Sequence, residues 1–410
     1  MSWHLLQPEG RPPPAAGVAE FQGLYGAYSF SEKLLQKIWL RGEFDRANLV
    51  TLDGRRLSVR HPGKWNLLGG PDFKGARLSF DGGPEVTGEV ELHLRAESWA
   101  EHGHAADRAY DGVVLHVVLF PPDPGHVTRT AHGQSLAVLA LLPLLNHDLE
   151  QFAAEEAVEA LANRPASRIQ DELGRHSRDE LAGLLRRHAE RRWRQKVHFA
   201  QVRVQRLGWE AACHQAALEI LGYRFNRAPM LRLAAAWPLG RWAQGRLEVE
   251  RLVGAEETAW SLQGVRPANH PRHRLRQYAA WTQARADWPA RLATLGRVWP
   301  VLPLAATTGT TRATHRLAAL RQGLAIEICA AAVGGTRLDN LVCDGFLPLV
   351  AAASGRDLGG MWFHWYPGDW PPTLRRALRN LGATGGRGQP FAHGLGQGLF
   401  GWLLEQEAQR

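Results

Sequence analysis

The chain has 410 residues, more than one hydrophobic core usually serves, so two domains are expected. Hydrophobic residues make up 45% of it, which excludes a disordered chain. No apolar window reaches membrane-spanning length and the opening residues carry no apolar signal region, so a cytoplasmic protein is expected. The formal charge of +9 favours polyanionic partners, nucleic acid first, and three scattered cysteines (Cys213, Cys329, Cys343) exclude a cysteine-built zinc knuckle.

Residues 1–22 read as a leader rich in Pro and Gly. A helix is expected over residues 29–39, where Ser29 and Glu32 fit an S-x-x-E capping box and Leu34, Leu35 and Ile38 recur at helical spacing. From residue 48 the period falls to two. Residues 48–61 read as a hairpin about Asp53-Gly54, then 75–80, 85–95 and 112–120 as strands, the last apolar enough to be central. Residues 126–141 add one or two more strands, and the β character ends near Asp148. Beyond it helices dominate. Residues 177–199 open with Ser177 and Glu180 in another capping box, set Leu181, Leu184, Leu185 and His188 on one face, and cover the other with arginines. Residues 209–223, 240–254, 288–299, 314–334 and 373–382 continue the helical pattern. The expected architecture is an α/β domain over residues 23–150 followed by an α-helical domain over 151–410.

Chemistry concentrates in residues 69–118. In Gly88–Arg95, alternation sets Glu89, Glu91 and His93 on one face while Val90, Leu92 and Leu94 point into a core. Two carboxylates and an imidazole in a row repel one another unless a cation joins them, and Mg²⁺ or Mn²⁺ suits carboxylate oxygens. The bland alternative is the solvated face of a half-buried strand, although Glu is depleted in strands. Asp72 sits in a Gly-Gly-Pro-Asp-Phe turn that leads into a strand. Downstream, His102, His104 and Asp107 crowd one loop with Trp99, Tyr110 and Asp111, ahead of the strand that carries His116. Such a group can bind a transition metal, assist a leaving group as acid, or simply cap turns.

A Pro-Asp turn followed by a strand bearing Glu-x-(Lys or substitute) resembles the PD-(D/E)XK nuclease superfamily. The resemblance implies a restriction-endonuclease-like mixed sheet. It gives Asp72 and the first acid, Glu89 or Glu91, to a divalent metal, and gives the third position, Glu91 or His93, to the attacking water. No Lys stands at either third position. Glu32 matches that superfamily's extra helical acid, in competition with its role in the capping box. The stretch is also similar to a bacterial family of unknown function, through Glu32–Trp39, Asn66–Phe73, Gly88–His93, Trp99–His104, Asp107–Tyr110 and Val114–Val118, and more thinly through residues 221–234 and 397–399.

Between Arg186 and Lys196 stand six basic residues, one acid and Trp193. Arg187, Arg191 and Arg194 are the candidates for phosphate contacts; the alternative is a solvated arginine face over a bundle. Residues 269–278 form a second basic cluster, and residues 361–370 are dense in aromatics that either stack on bases or fill a core. Glu327 reads as a buried acid and Cys329 as an inert thiol. The expectation is a metal-dependent phosphodiesterase acting on DNA or RNA, with Mg²⁺ or Mn²⁺ at Asp72, Glu89 and Glu91. Its alternatives are a nucleic-acid-binding scaffold on a degenerate nuclease fold, and a zinc-type metallohydrolase built on the His cluster.

Overall fold

The computed structural model describes residues 18–23, 26–153, 156, 166–223, 226–255, 260, 262, 265, 267–385 and 388–408. The chain divides into two compact units, Met1–Glu156 and Ala157–Arg410. The first is a mixed α/β unit and the second is helical. Of the expected leader, residues 1–17 lie outside the described residues, whereas residues 18–22 belong to strand β1 (Val18–Gly23), paired antiparallel with β2 (Gly26–Ser31).

Helix α1 (Glu32–Arg41) starts at Ser31, not Ser29: the Ser31 hydroxyl accepts from the Leu34 amide at 3.2 Å, and Gly42 ends the helix in the left-handed region at φ 64°. Ser29 lies inside β2, where extended backbone pairing displaces the expected cap. Glu32 is thereby released from capping, at the first turn of α1. Leu34, Leu35, Ile38 and Trp39 are buried on the inner face.

The main sheet has six strands: β3 (Leu57–His61), β4 (Lys64–Trp65), β5 (Phe73–Phe80), β6 (Glu85–His93), β7 (Val113–Val118) and β8 (Ala137–Ala140). The path β3-β5-β6-β7-β8 carries it, with β4 also on β5. Pairing is antiparallel through β6 and parallel from β6 to β8. The parallel step needs a crossover, and short helix α2 (Ser98–Glu101) lies in it. The expected hairpin at residues 48–61 reduces to a tight turn and one bridge, Val50 to Arg56, ahead of β3. Val90 and Leu92 are 0% and 1% exposed, so the apolar side of β6 faces the core as alternation requires.

In the second unit the capping box at Ser177 and Glu180 is complete, and it opens a 30-residue helix, Arg178–Leu207. Leu181 and Leu185 enter one apolar cluster with Leu399 and Leu403. Farther along, Ala189 and Trp193 enter a second cluster, rich in tryptophan. The stretch expected as one helix at 314–334 breaks: Leu317–Gly323 gives way to a π turn at Leu324–Ile328, and Ala330 and Ala331 then take positive φ. Glu327 on that turn is exposed rather than buried, while Cys329 is buried and its thiol pushed up by burial. No described helix is long and apolar enough to cross a membrane.

Helices Arg178–Leu207 and His393–Ala408 approach closely at Gly398, where an added Cβ would stand 2.1 Å from the Leu185 carbonyl oxygen. That atom is backbone and cannot swing aside. Gly398→Ala should therefore cost about 1–3 kcal/mol of stability through overpacking, read as a lower denaturation midpoint with the N-terminal unit unaffected.

Candidate metal centre

The turn before β5, the end of β6 and the loop after it bring the candidate residues together. Phe73 pairs with Val90, which sets Asp72 beside Glu91 on the neighbouring strand. The Asp72 amide donates to Glu91 Oε2 at 2.9 Å, and Asp72 Oδ2 accepts from the Leu92 amide at 3.0 Å. Asp72 Oδ1 accepts from Gln36 Nε2 at 2.6 Å, and Gln36 Oε1 accepts from Trp65 Nε1 at 3.2 Å. Glu32, one turn before Gln36 on α1, accepts from the Leu94 amide at 3.3 Å. The helix thus supplies one polar side chain to the turn before β5 and another to the end of β6.

The other oxygen of Glu91 faces imidazoles. Oε1 stands 3.4 Å from His104 Nε2 and 3.7 Å from His93 Nε2. The ligand atoms of His93, His102 and His104 all lie within 4.8 Å of one another. Ligands about 2.1 Å from a common ion in tetrahedral array stand about 3.4 Å apart. Glu91 Oε1 is therefore spaced from two of the imidazole nitrogens about as ligands are, and too far from them to hydrogen-bond well. His104 stacks on Tyr110 with ring centroids 3.8 Å apart, and Trp99 packs edge-on against His104 while donating to the Arg129 carbonyl at 2.9 Å. His102 is exposed, and His93, His104 and Glu91 are buried.

Burial sets the charges. His93 is pushed down to about 2 by burial and by the neighbouring imidazoles, His116 first, and His116 is held down to about 3 chiefly by burial. Both rings are neutral, so each has one nitrogen lone pair to offer. Burial, reinforced by Glu91, raises Asp72 to about 7, and burial also raises Glu32. Burial holds the Tyr110 phenol up at about 12, with Glu91 and Asp72 adding to it. Desolvated acids beside neutral imidazoles make a site short of positive charge.

A family model described as "Protein of unknown function (DUF2851)" matches residues 32–254, over half of the chain. The chain belongs to the DUF2851 family. Neither a curated protein nor a solved structure matches it. The matched stretch of this DUF2851 chain covers the whole cluster, from Glu32 to His116, and Arg187, Arg191 and Arg194 besides.

Other candidates sit elsewhere. Glu89 turns its carboxylate toward Gly112, where an added Cβ would lie 2.9 Å from Oε2. Asp107 is exposed and caps the turn at Arg108–Tyr110, accepting from the Ala109 amide at 2.8 Å. His116 is fully buried against His93 and has no contact with solvent. Arg187, Arg191 and Arg194 are exposed, and Arg191 pairs with Glu405 at 3.2 Å. Trp193 and residues Met361–Trp365 are core, which removes them as stacking platforms. In the second basic cluster Arg272 and Arg276 pair with Glu250, and Arg274 is buried. Sequence reasoning missed Gln36 and Thr128. Gln36 had a signal, because it follows Glu32 by one helical turn and shares its face. Thr128 had none.

The Asp72 shift carries a sign that stability measurements can read. Its carboxyl titrates higher in the folded state than in the unfolded chain, so its contribution is fully present below the unfolded value, about 3.9. That contribution is lost as pH rises through about 7. Ion-free protein should lose thermal stability between about pH 4 and pH 7, and Asp72→Asn should flatten that loss. Melting curves in chelator across the range check it; parallel profiles for the two proteins would contradict it.

Proposed function

We propose that this unit is a metal-dependent hydrolase that cleaves phosphodiester bonds in nucleic acid. The carrying observation is the convergence of the ligand atoms of His93, His102 and His104 within 4.8 Å, with Glu91 Oε1 beside His93 and His104 and Asp72 tied to Glu91. An acid at the entry of one strand, Glu-x-His on its antiparallel neighbour and a helical acid behind them support the PD-(D/E)XK resemblance. The donor set is mixed nitrogen and oxygen, which suits Mn²⁺ or Zn²⁺ better than Mg²⁺, whose preference is for oxygen. When bound, such an ion lowers the pKa of a water and offsets charge on the reacting phosphate.

The side chains have separable roles. Glu91, His93, His102 and His104 hold the ion. Gln36 and the Leu92 amide fix Asp72, whose desolvated carboxylate accepts the proton of the attacking water. Tyr110 stays protonated and braces His104 by stacking. The exposed Arg187, Arg191 and Arg194, in a chain of net charge +9, support a polyanionic substrate. The zinc-type hydrolase of another substrate stays as a second reading, because three imidazoles is a zinc-like ligand set.

Full-length protein stripped of metal and then given Mn²⁺, Zn²⁺, Mg²⁺ or Ca²⁺ should cleave DNA or RNA with Mn²⁺ or Zn²⁺ best and Ca²⁺ least. Glu91→Gln and His93→Ala should each lower cleavage by about 100-fold or more, on the scale of losing a key electrostatic group. Replacing Arg187, Arg191 and Arg194 together with Ala should flatten the salt dependence of binding by about two to three log units per log unit of salt, if each arginine meets one phosphate. Metal binding without cleavage of any nucleic acid would leave the second reading standing alone.

A further inference from the structure

A hydrogen-bonded line leads away from the cluster through the interior. His93 Nδ1 lies 3.0 Å from His116 Nε2, and His116 Nδ1 lies 3.0 Å from Thr128 Oγ1. Thr128 Oγ1 in turn lies 3.2 Å from His126 Nε2, nearer the surface. His116 is 0% and Thr128 2% exposed, so solvent does not satisfy these atoms. β7 makes the line possible, since His116 stands opposite Glu91 in parallel register.

A neutral imidazole carries one proton on two nitrogens, so the proton's place on one ring dictates its place on the next. The line has two self-consistent senses. In the outward sense His93 Nδ1–H donates to His116 Nε2, and His116 Nδ1–H donates to the Thr128 oxygen. In the inward sense the Thr128 hydroxyl donates to His116 Nδ1, His116 Nε2–H donates to His93 Nδ1, and the His93 proton sits on Nε2. That proton would point at Glu91 Oε1 across 3.7 Å and leave no lone pair on Nε2 for a cation. Only the outward sense leaves the Nε2 lone pair facing Glu91 and His104.

We infer that His116 and Thr128 are positioning residues that hold His93 in the Nδ1–H tautomer and so set the cation affinity of the cluster. The inference rests on the metal centre proposed above. Partners of this kind behind a ligating histidine typically change metal affinity by about 10–100-fold. Neither residue touches the ion site itself, which separates their role from that of the ligands.

The test uses the full chain and Zn²⁺ alone, with affinity read by competition against a chromophoric chelator. Thr128→Val keeps the shape and removes the oxygen, and His116→Phe keeps the ring and removes both nitrogens. The expected result is Zn²⁺ binding weakened about 10-fold by the first and up to about 100-fold by the second, with Thr128→Ser close to wild type. Selective ¹⁵N-histidine spectra of Zn²⁺-loaded wild type should show His93 protonated at Nδ1 with Nε2 deprotonated, and Thr128→Val should weaken that preference. Unchanged affinity in Thr128→Val, equal loss in Thr128→Ser, or an Nε2-protonated His93 in Zn²⁺-loaded wild type would each overturn the inference. Should Thr128→Val fail to fold, Thr128→Ser and the wild-type spectrum decide it. Wild type that binds no Zn²⁺ would instead overturn the metal centre, and the inference with it.

Discussion

A buried carboxylate must be matched by positive charge, and Glu91 is the residue on which this constraint falls hardest. It is 5% exposed, with one oxygen against the Asp72 amide and the other against the imidazoles of His93 and His104. Taking a carboxylate out of water costs on the order of several kcal/mol even after relaxation. Asp72 and Glu32 add further acids to the same place. No Lys or Arg among the described residues is paired with Glu91 or Asp72. The divalent cation proposed for this cluster would meet the deficit.

Much of the first unit serves that arrangement. The pleat of β6 sends Val90 and Leu92 into the core and so commits Glu91 and His93 to the opposite side. Helix α1 begins at Ser31 instead of two residues earlier, which frees Glu32 and brings Gln36 onto Asp72. The crossover between β6 and β7 is long enough to fold His102 and His104 back over the strand end. Its aromatic residues Trp99 and Tyr110 then hold His104 from two sides.

Legibility in the sequence follows the range of the interaction. Period-two alternation is local, and from it the core face of β6 and the company of Glu91 with His93 could be read. The capping box at Ser177 and Glu180 is equally local and was readable for the same reason. Ser29 failed as a cap because pairing with β1 competes for its backbone, a contact the helix signal does not contain. The return of His102 and His104 depends on loop conformation, and Thr128 reaches His116 only through the crossover and the turn beyond β7. Charge counting misled most in the second unit. Residues 269–278 look like a cationic patch until Glu250, distant in sequence, pairs with Arg272 and Arg276, and Trp193 looks available for stacking until Trp362 covers it.

The most direct measurement is a crystal of the full chain grown with Zn²⁺ or Mn²⁺ and recorded above and below the metal's absorption edge. The expected result is one strong anomalous peak about 2.0–2.2 Å from His93 Nε2 and from a Glu91 oxygen, with His104 and His102 completing the shell. A peak confined to surface histidines, or none at His93 with metal present in excess, would contradict a metal centre at the end of β6.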